Sequence, residues 1–362
     1  WDEEEQTLFR SLGLFVGSFD FAAAQALTTT SEYDTMDLME SLVAKNLVTI
    51  DQSSFGTTRY RLLESVRIYA GDQLVRSDEA GRTQDAYAEY YCDLTTTSDF
   101  VVAGGINRAL RLRADWPNIA AALEHFITES EFETAAGMAF GCQGMWESQL
   151  PATEGRRWTE ALIDELPPGP QRDWMVYALI MFCIVLDDWI LAHRLLQEMV
   201  DSASPEPRAV AAGTLSFLSC RREPDETLRL AQVGRDLVAV HDLGPAILCP
   251  SAWSEGVHSL YGARFEEARE RFEAAHELSC VGSIETNNFV MTGLALAAAQ
   301  ILTGDPEEAL RTLDSANWSS SVWDSSSILR ALALIDVGRP VEAADLVVGF
   351  GYDALRGRLA RM

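Results

Sequence analysis

"TTRYRLLESVRIYA", residues 57–70, changes its period half-way. Thr58, Tyr60 and Leu62 alternate with Arg59, Arg61 and Leu63, as a strand with two different faces requires. From Glu64 the apolar residues Val66, Ile68 and Tyr69 fall at helical spacing, so the strand hands over to a helix without a loop. Upstream, "LVTID" also alternates, and the polar turn "QSSFG" between the two runs marks a β-hairpin. Three helices are predicted before it. "EEEQTLFRSLGLFVG" sets Leu8, Leu12 and Phe15 on one face, and "FDFAAAQAL" is the second. "DTMDLMESLVAKN" has Asp34 as its N-cap and Met36, Met39, Leu42 and Val43 turned inward.

Helix, helix, helix, hairpin, helix is the order of a winged helix, which predicts such a domain over residues 1–77. Winged helices commonly read DNA, but the charge argues against it here. The chain has 28 Lys+Arg against 55 Asp+Glu, a net charge of −27. Affinity for nucleic acid comes largely from neutralised phosphates. The third helix, which would enter the groove, carries Asp34, Asp37 and Glu40 against Lys45. Arg59, Arg61 and Arg67 are therefore candidates for interdomain contacts within the protein. No direct nucleic acid or membrane binding is expected of this segment.

Beyond residue 78 helical periodicity replaces alternation. Residues 78–130 read as a helical junction and 131–362 as an array of helical hairpins. "GARFEEARERF", "GDPEEALRTL" and "GRPVEAADLV" share a phrase in which a small residue, Ala268, Ala309 or Ala343, follows an aromatic or Pro by three. Thr227 and Ala192 continue the series upstream, giving intervals of 35, 41, 41 and 34 residues from Ala192 to Ala343. A period near 34 residues is that of tetratricopeptide repeats, in which a small residue lets paired helices approach closely. Phe265, Phe272 and Ala275, with Gly256 on the preceding helix, fill one repeat; Ala297, Gly304, Leu313 and Ala316 serve the next. The fold class expected is mainly α: a small winged-helix domain followed by an α-solenoid of tetratricopeptide-like hairpins.

"LFRSLGLFVGSFDFAAAQAL", "MDLMESLVAKNLVTID", "RYRLLESVRIYAGDQL", "ADWPNIAAALEHF" and "GMWESQLPATEGRRWTEAL" together resemble large bacterial signal-transduction ATPases of the STAND class, in the LuxR/MalT-like family of transcriptional regulators. The resemblance implies a nucleotide-binding domain upstream, a repeat array that receives the signal, and often a DNA-binding module at the far end. This chain has no GxxxxGK[ST] phosphate loop, and its last residues, "DALRGRLARM", remain helix-like. It starts without Met, as a segment of a longer protein does. The resemblance implies a non-catalytic regulatory segment with no cofactor of its own, ATP or ADP belonging to the upstream ATPase domain. Its partners would be that domain and a protein or small-molecule effector on the array. The alternative is a free-standing tetratricopeptide adaptor for protein–protein interaction.

Chemistry elsewhere is sparse. The five histidines, His125, His193, His241, His258 and His276, show no metal-binding spacing, although His258 and His276 fall on consecutive predicted helices. Carboxylates lie in helical surface runs, with Glu267 set four before Arg271 as a helix-supporting pair. No GxSxG occurs, and no enzyme is expected. Six scattered cysteines without a CxxC pair read as reduced, mostly buried thiols, consistent with a cytoplasmic protein. Trp146, Trp158, Trp174 and Trp189 cluster around the first array hairpins. They are either core fillers or candidate anchors for a ligand or partner on the array.

Overall fold

A computed structural model describes residues 2–52, 58–96, 101–102, 106–201, 204–220, 223–281, 286–314 and 323–348. The tip of the wing (53–57), Ala316, the side chain of Cys280 and the C-terminal "DALRGRLARM" lie outside the described residues. Two compact units divide at residues 167 and 168.

The first unit begins with α1 (Glu3–Leu12), α2 (Phe21–Ala26), α3 (Glu32–Ala44), an antiparallel hairpin of β1 (Val48–Gln52) and β2 (Thr58–Leu62), and α4 (Glu64–Val75). Ile50 faces Tyr60 and Asp51 faces Arg59 across the hairpin. Asp2 and Asp20 cap α1 and α2, each accepting a backbone N–H three residues on. Leu8, Leu12 and Phe15 are buried, as their spacing predicts.

Two details differ from the sequence reading. The cap of α3 is Ser31, whose hydroxyl accepts from Asp34 N at 3.2 Å, and Met36 faces outward while Thr35, Met39 and Leu42 are buried. On α4 it is Ala70 and Leu74 that face the core, leaving Ile68 and Tyr69 exposed. The strand runs into α4 without a loop, so strand geometry rather than apolar spacing sets the phase of the helix.

The unit continues with α5 (Ala80–Thr96), a short two-stranded ladder of β3 (Val101–Val102) and β4 (Ile106–Asn107), α6 (Arg108–Thr128), α7 (Phe132–Gly141), α8 (Gln143–Ser148) and α9 (Ala152–Ile163). The second unit is helical: α10 (Pro170–Val185), α11 (Trp189–Val200), α12 (Pro205–Ser219), α13 (Pro224–His241), a 3-10 turn (Pro245–Leu248), α14 (Cys249–Tyr261), α15 (Phe265–Val281), α16 (Thr286–Leu302), α17 (Pro306–Asp314), α18 (Trp323–Asp336) and α19 (Pro340–Val348).

One local rule builds the hairpins. A residue in the left-handed region ends the first helix: Ser130, Asp187, Ala263, Gly304 and Gly338, with φ of 63°, 61°, 55°, 83° and 78°. The next residue then donates its N–H to the carbonyl five back, as Glu131 to Phe126, Asp188 to Cys183, Arg264 to Ser259, Asp305 to Gln300 and Arg339 to Leu334, all at 2.8–2.9 Å. That is the Schellman closure of a helix C-terminus. Five residues after each turn residue stands a buried alanine: Ala135, Ala192, Ala268, Ala309 and Ala343. Each is the fourth residue of its helix, as buried Thr227 is of α13. The first residue of those six helices is Phe132, Trp189, Pro224, Phe265, Pro306 or Pro340.

The repeat grammar therefore already holds at α6–α7. The boundary expected at 130/131 falls inside the turn of that hairpin. Ser130 hid it, because only two of the five left-handed positions are glycine.

Close packing follows the small residues. A Cβ on Gly256 would stand 2.6 Å from the Phe272 ring, so α14 and α15 touch there. Cys142, Cys183, Cys220 and Cys249 are buried, and Cys92 is half-buried. Among the described residues, no helix is long and apolar enough to cross a membrane.

His276 on α15 turns to α16, its Nδ1 3.2 Å from Thr292 Oγ1, and burial pushes its pKa below the ordinary value. The folded state disfavours its protonation, so its contribution to stability is complete above the unfolded pKa of about 6.5 and is lost as pH falls through the folded pKa. The denaturation midpoint of the second unit should fall between about pH 7 and 5, with a shallower fall in His276→Gln. Equal slopes for the two proteins in urea melts would contradict this.

Candidate functional site

The first unit contains a buried polar clamp. The turn from Val16 to Asp20, between α1 and α2, is bound to α6. Asn118 Oδ1 accepts the N–H groups of Val16 and Gly17 at 2.9 and 3.2 Å, and its Nδ2 donates to Ser18 O at 3.0 Å. Arg59 reaches from β2 to the same turn. Its Nε donates to Ser18 Oγ at 2.9 Å, and Nη2 donates to Ser18 O and Asp115 Oδ1, both at 2.6 Å. Nη1 meets Asp115 Oδ2 at 3.4 Å, completing a two-pronged pair.

Arg59 and Asp115 are 5% and 2% exposed, and Asn118 is fully buried. Burial is the largest influence on Asp115 and pushes its carboxyl above the usual carboxylate range, with Arg59 pulling against it. Beside the pair, Asp20 accepts from Arg111 Nη2 at 3.2 Å and from Tyr90 Oη at 3.3 Å. Phe15 stacks on Phe19 and meets Tyr87, whose hydroxyl donates to Asn118 O at 3.1 Å. The winged-helix segment, α5 and α6 thus share one core.

The other two candidate arginines are different. Arg61 lies on the surface, 3.6 Å from Asp51, and Arg67 pairs with Glu64 of its own helix at 2.7 Å. Exposed pairs of this kind contribute about 0–1 kcal/mol and are readily exchanged for other partners. The outward face of α3 presents Glu32, Tyr33, Asp34, Met36, Asp37 and Glu40, and Lys45 is engaged by buried Glu5.

The four tryptophans do not form one surface. Trp146 is fully buried, edge-on to Trp116 at 5.0 Å, and Trp158 packs on the same ring at 6.3 Å. As an anchor, Trp146 has no face to offer, because the Trp116 contact and the core close it off. Trp174, half-buried, meets Tyr177 at 5.9 Å beside the core of the second unit. Trp189, 45% exposed, opens onto a groove of about 900 Å³. Ile190, His193, Phe217, Leu218, Val257 and Tyr261 line it further, with Cys220 and Glu223 at its edge. Ile190 is 88% exposed, and Phe217 is held by stacking on Trp253 at 4.6 Å. Trp189 stood out only as one of four clustered tryptophans; the groove itself joins α11, α12 and α14 and was not legible. Among the described residues no three His, Cys, Asp or Glu side chains gather as metal ligands.

Residues 1–75 match the family model described as a winged helix-turn-helix domain. The N-terminal domain is a winged helix. A Mycobacterium tuberculosis protein named as an HTH-type transcriptional regulator is 34% identical over 169 residues, covering 45% of this chain and 19% of that protein. An uncharacterized protein of the same organism is 36% identical over 90 residues, 24% of this chain and 23% of its own length. Among solved structures, a Signal Transduction ATPase with Numerous Domains (STAND) protein with a tetratricopeptide repeat sensor, from Pyrococcus horikoshii, superposes with a TM-score of 0.54. It is 12% identical, and the match covers 96% of this chain and 53% of that one, so the likeness is one of fold. This chain spans under a quarter of the curated relatives and about half of the solved chain.

Proposed function

We propose that the chain is a non-catalytic regulatory and sensor segment of a multidomain, ATP-dependent transcriptional regulator of the LuxR/MalT-like kind. The carrying observation is a winged helix whose groove-facing helix is acidic and whose Arg59 is spent on Asp115 inside the protein. Such a domain offers few of the cations that phosphate contacts require, which favours coupling over DNA reading. Arg61 and Arg67 supply exchangeable contacts to an ATPase domain that binds ATP or ADP outside this segment. The Trp189 groove receives an effector or protein partner, and the segment acts in the cytoplasm. The winged-helix match, the similarity of the chain to a named regulator and the fold of a STAND sensor support this reading.

Two measurements test it. Fluorescence anisotropy with random duplex DNA at about 50 mM salt should show no binding, because salt that low favours any phosphate contact present. Saturable binding would overturn the coupling role. In the longer regulator, Trp189→Ala should abolish the response of nucleotide turnover to effector, yet cost under about 1 kcal/mol of stability, because the side chain is half exposed. An intact response would remove the groove from the mechanism.

A further inference from the structure

A second cavity, of about 340 Å³, lies in the second unit against α13, α14 and α15. Its polar lining is Arg235 from α13, Ser251 and Glu255 from α14, and Arg271 from α15; Leu248, Ala252 and Leu278 supply apolar wall. Glu255 is buried and bridges both arginines. Arg235 Nη1 donates to its Oε1, and Arg271 Nη1 lies 3.4 Å from its Oε2. The sequence spacing suggested that Arg271 serves Glu267 on its own helix. In the structure Glu267 pairs with Arg264 at 2.7 Å, and Arg271 crosses to the neighbouring helix.

The cavity is incompletely satisfied in two ways. Two guanidinium groups share the single carboxylate of the cavity lining, with Asp236 and Glu267 acting on them from outside it. Arg235 places Nε and Nη2 on Gln232, whereas Arg271, half exposed, makes no hydrogen bond or ion pair among the described residues beyond the long contact to Glu255. Independently, Ser251 is 1% exposed and its hydroxyl has no hydrogen-bond partner. That hydroxyl lies over Gly234, where an added Cβ would stand 2.6 Å from it, one residue before Arg235. The same hydroxyl is crowded by Gly213, where an added Cβ would stand 2.8 Å from it, so it is enclosed between α12 and α13.

We propose that this cavity binds a small organic acid. Its carboxylate is held by the free edge of Arg271 together with Arg235, and its apolar body lies on Leu248, Ala252 and Leu278. A planar guanidinium fork matches a carboxylate with two parallel hydrogen bonds. The volume suits a small ligand, since such pockets begin at about 300 Å³. Glu255 is the resident competitor, presenting the same functional group to the same two arginines. Because those arginines stand on two successive repeats, the ligand bridges α13 and α15 and stiffens that part of the array. The site is separate from the Trp189 groove and does not depend on the regulatory reading.

The test is a thermal melt and calorimetric titration of the whole chain with sodium benzoate, with sodium phosphate and sodium chloride at matched ionic strength. Benzoate should raise the melting temperature saturably above the chloride curve. Arg271→Met, which keeps the aliphatic stem, should weaken benzoate binding about tenfold or more, the scale of one lost charged hydrogen bond. Glu255→Gln should tighten it by removing the competitor. If Glu255→Gln loses too much stability to titrate, the Arg271→Met comparison decides alone. Coincident benzoate and chloride curves, undiminished binding by Arg271→Met, or binding of phosphate without benzoate would each overturn the proposal.

Discussion

Asp115→Ala should destabilise the first unit by about 3–5 kcal/mol, the cost of leaving one partner of a buried ion pair without its counter-charge. Arg59 would stay against Ser18 and Ala114, desolvated and stripped of both carboxylate contacts. Removing both charges together is a different case. Arg59→Met combined with Asp115→Leu replaces the pair by apolar groups of similar volume, and such exchanges are often neutral or stabilising. The double variant should therefore recover most of the loss. Guanidinium denaturation followed by tyrosine and tryptophan fluorescence measures both. A loss below about 1 kcal/mol for Asp115→Ala would mean that water reaches the pair and that the clamp is not what joins the winged helix to α6.

Gly213→Val should cost the second unit about 3 kcal/mol or more, at the upper end of overpacking effects. Gly213 lies on α12, a helix buried from Ala209 through Ser216. A Cβ there would stand 2.8 Å from both the backbone nitrogen and the hydroxyl of Ser251, and 2.9 Å from Pro250 Cβ. Backbone atoms cannot swing aside as a flexible side-chain end can, so α12 and α14 must separate. Gly81→Ala is the control, because Gly81 is exposed near the start of α5 and nothing lies within 4 Å of its added Cβ. That change should be neutral or stabilising by about 0.5–1 kcal/mol, the ordinary preference of helices for alanine. Urea melts showing similar effects for both glycines would contradict the close approach.

Most of the architecture was legible in the chain because it is local. Alternation followed by helical spacing marked β2 and α4, and a small residue three after an aromatic or proline marked the second helix of the later hairpins, at Ala268, Ala309 and Ala343. The inward residues of α1 were read correctly, while those of α3 and α4 were only partly so. Helix phase there depends on Ser31 and on the strand that feeds α4, not on apolar count. The α6–α7 hairpin was missed because Ser130 adopts a left-handed turn that glycine usually announces.

The candidate sites divided along the same line. The four tryptophans were singled out together as a cluster, but a buried core tryptophan and a groove tryptophan look alike in sequence, and only packing separates Trp146 from Trp189. Arg59, Arg61 and Arg67 also looked equivalent, until Asp115, 56 residues away, claimed the first.

The sequence alone determined the helices, the hairpin period and the acidic balance, since each depends on neighbours within a turn or two of backbone. Tertiary structure decided which charges meet: Arg59 with Asp115, Arg235 and Arg271 with Glu255, and Gly213 against Ser251. Those pairings arise between helices and strands far apart along the chain. Their partners are chosen by the geometry of packing, which no local periodicity encodes.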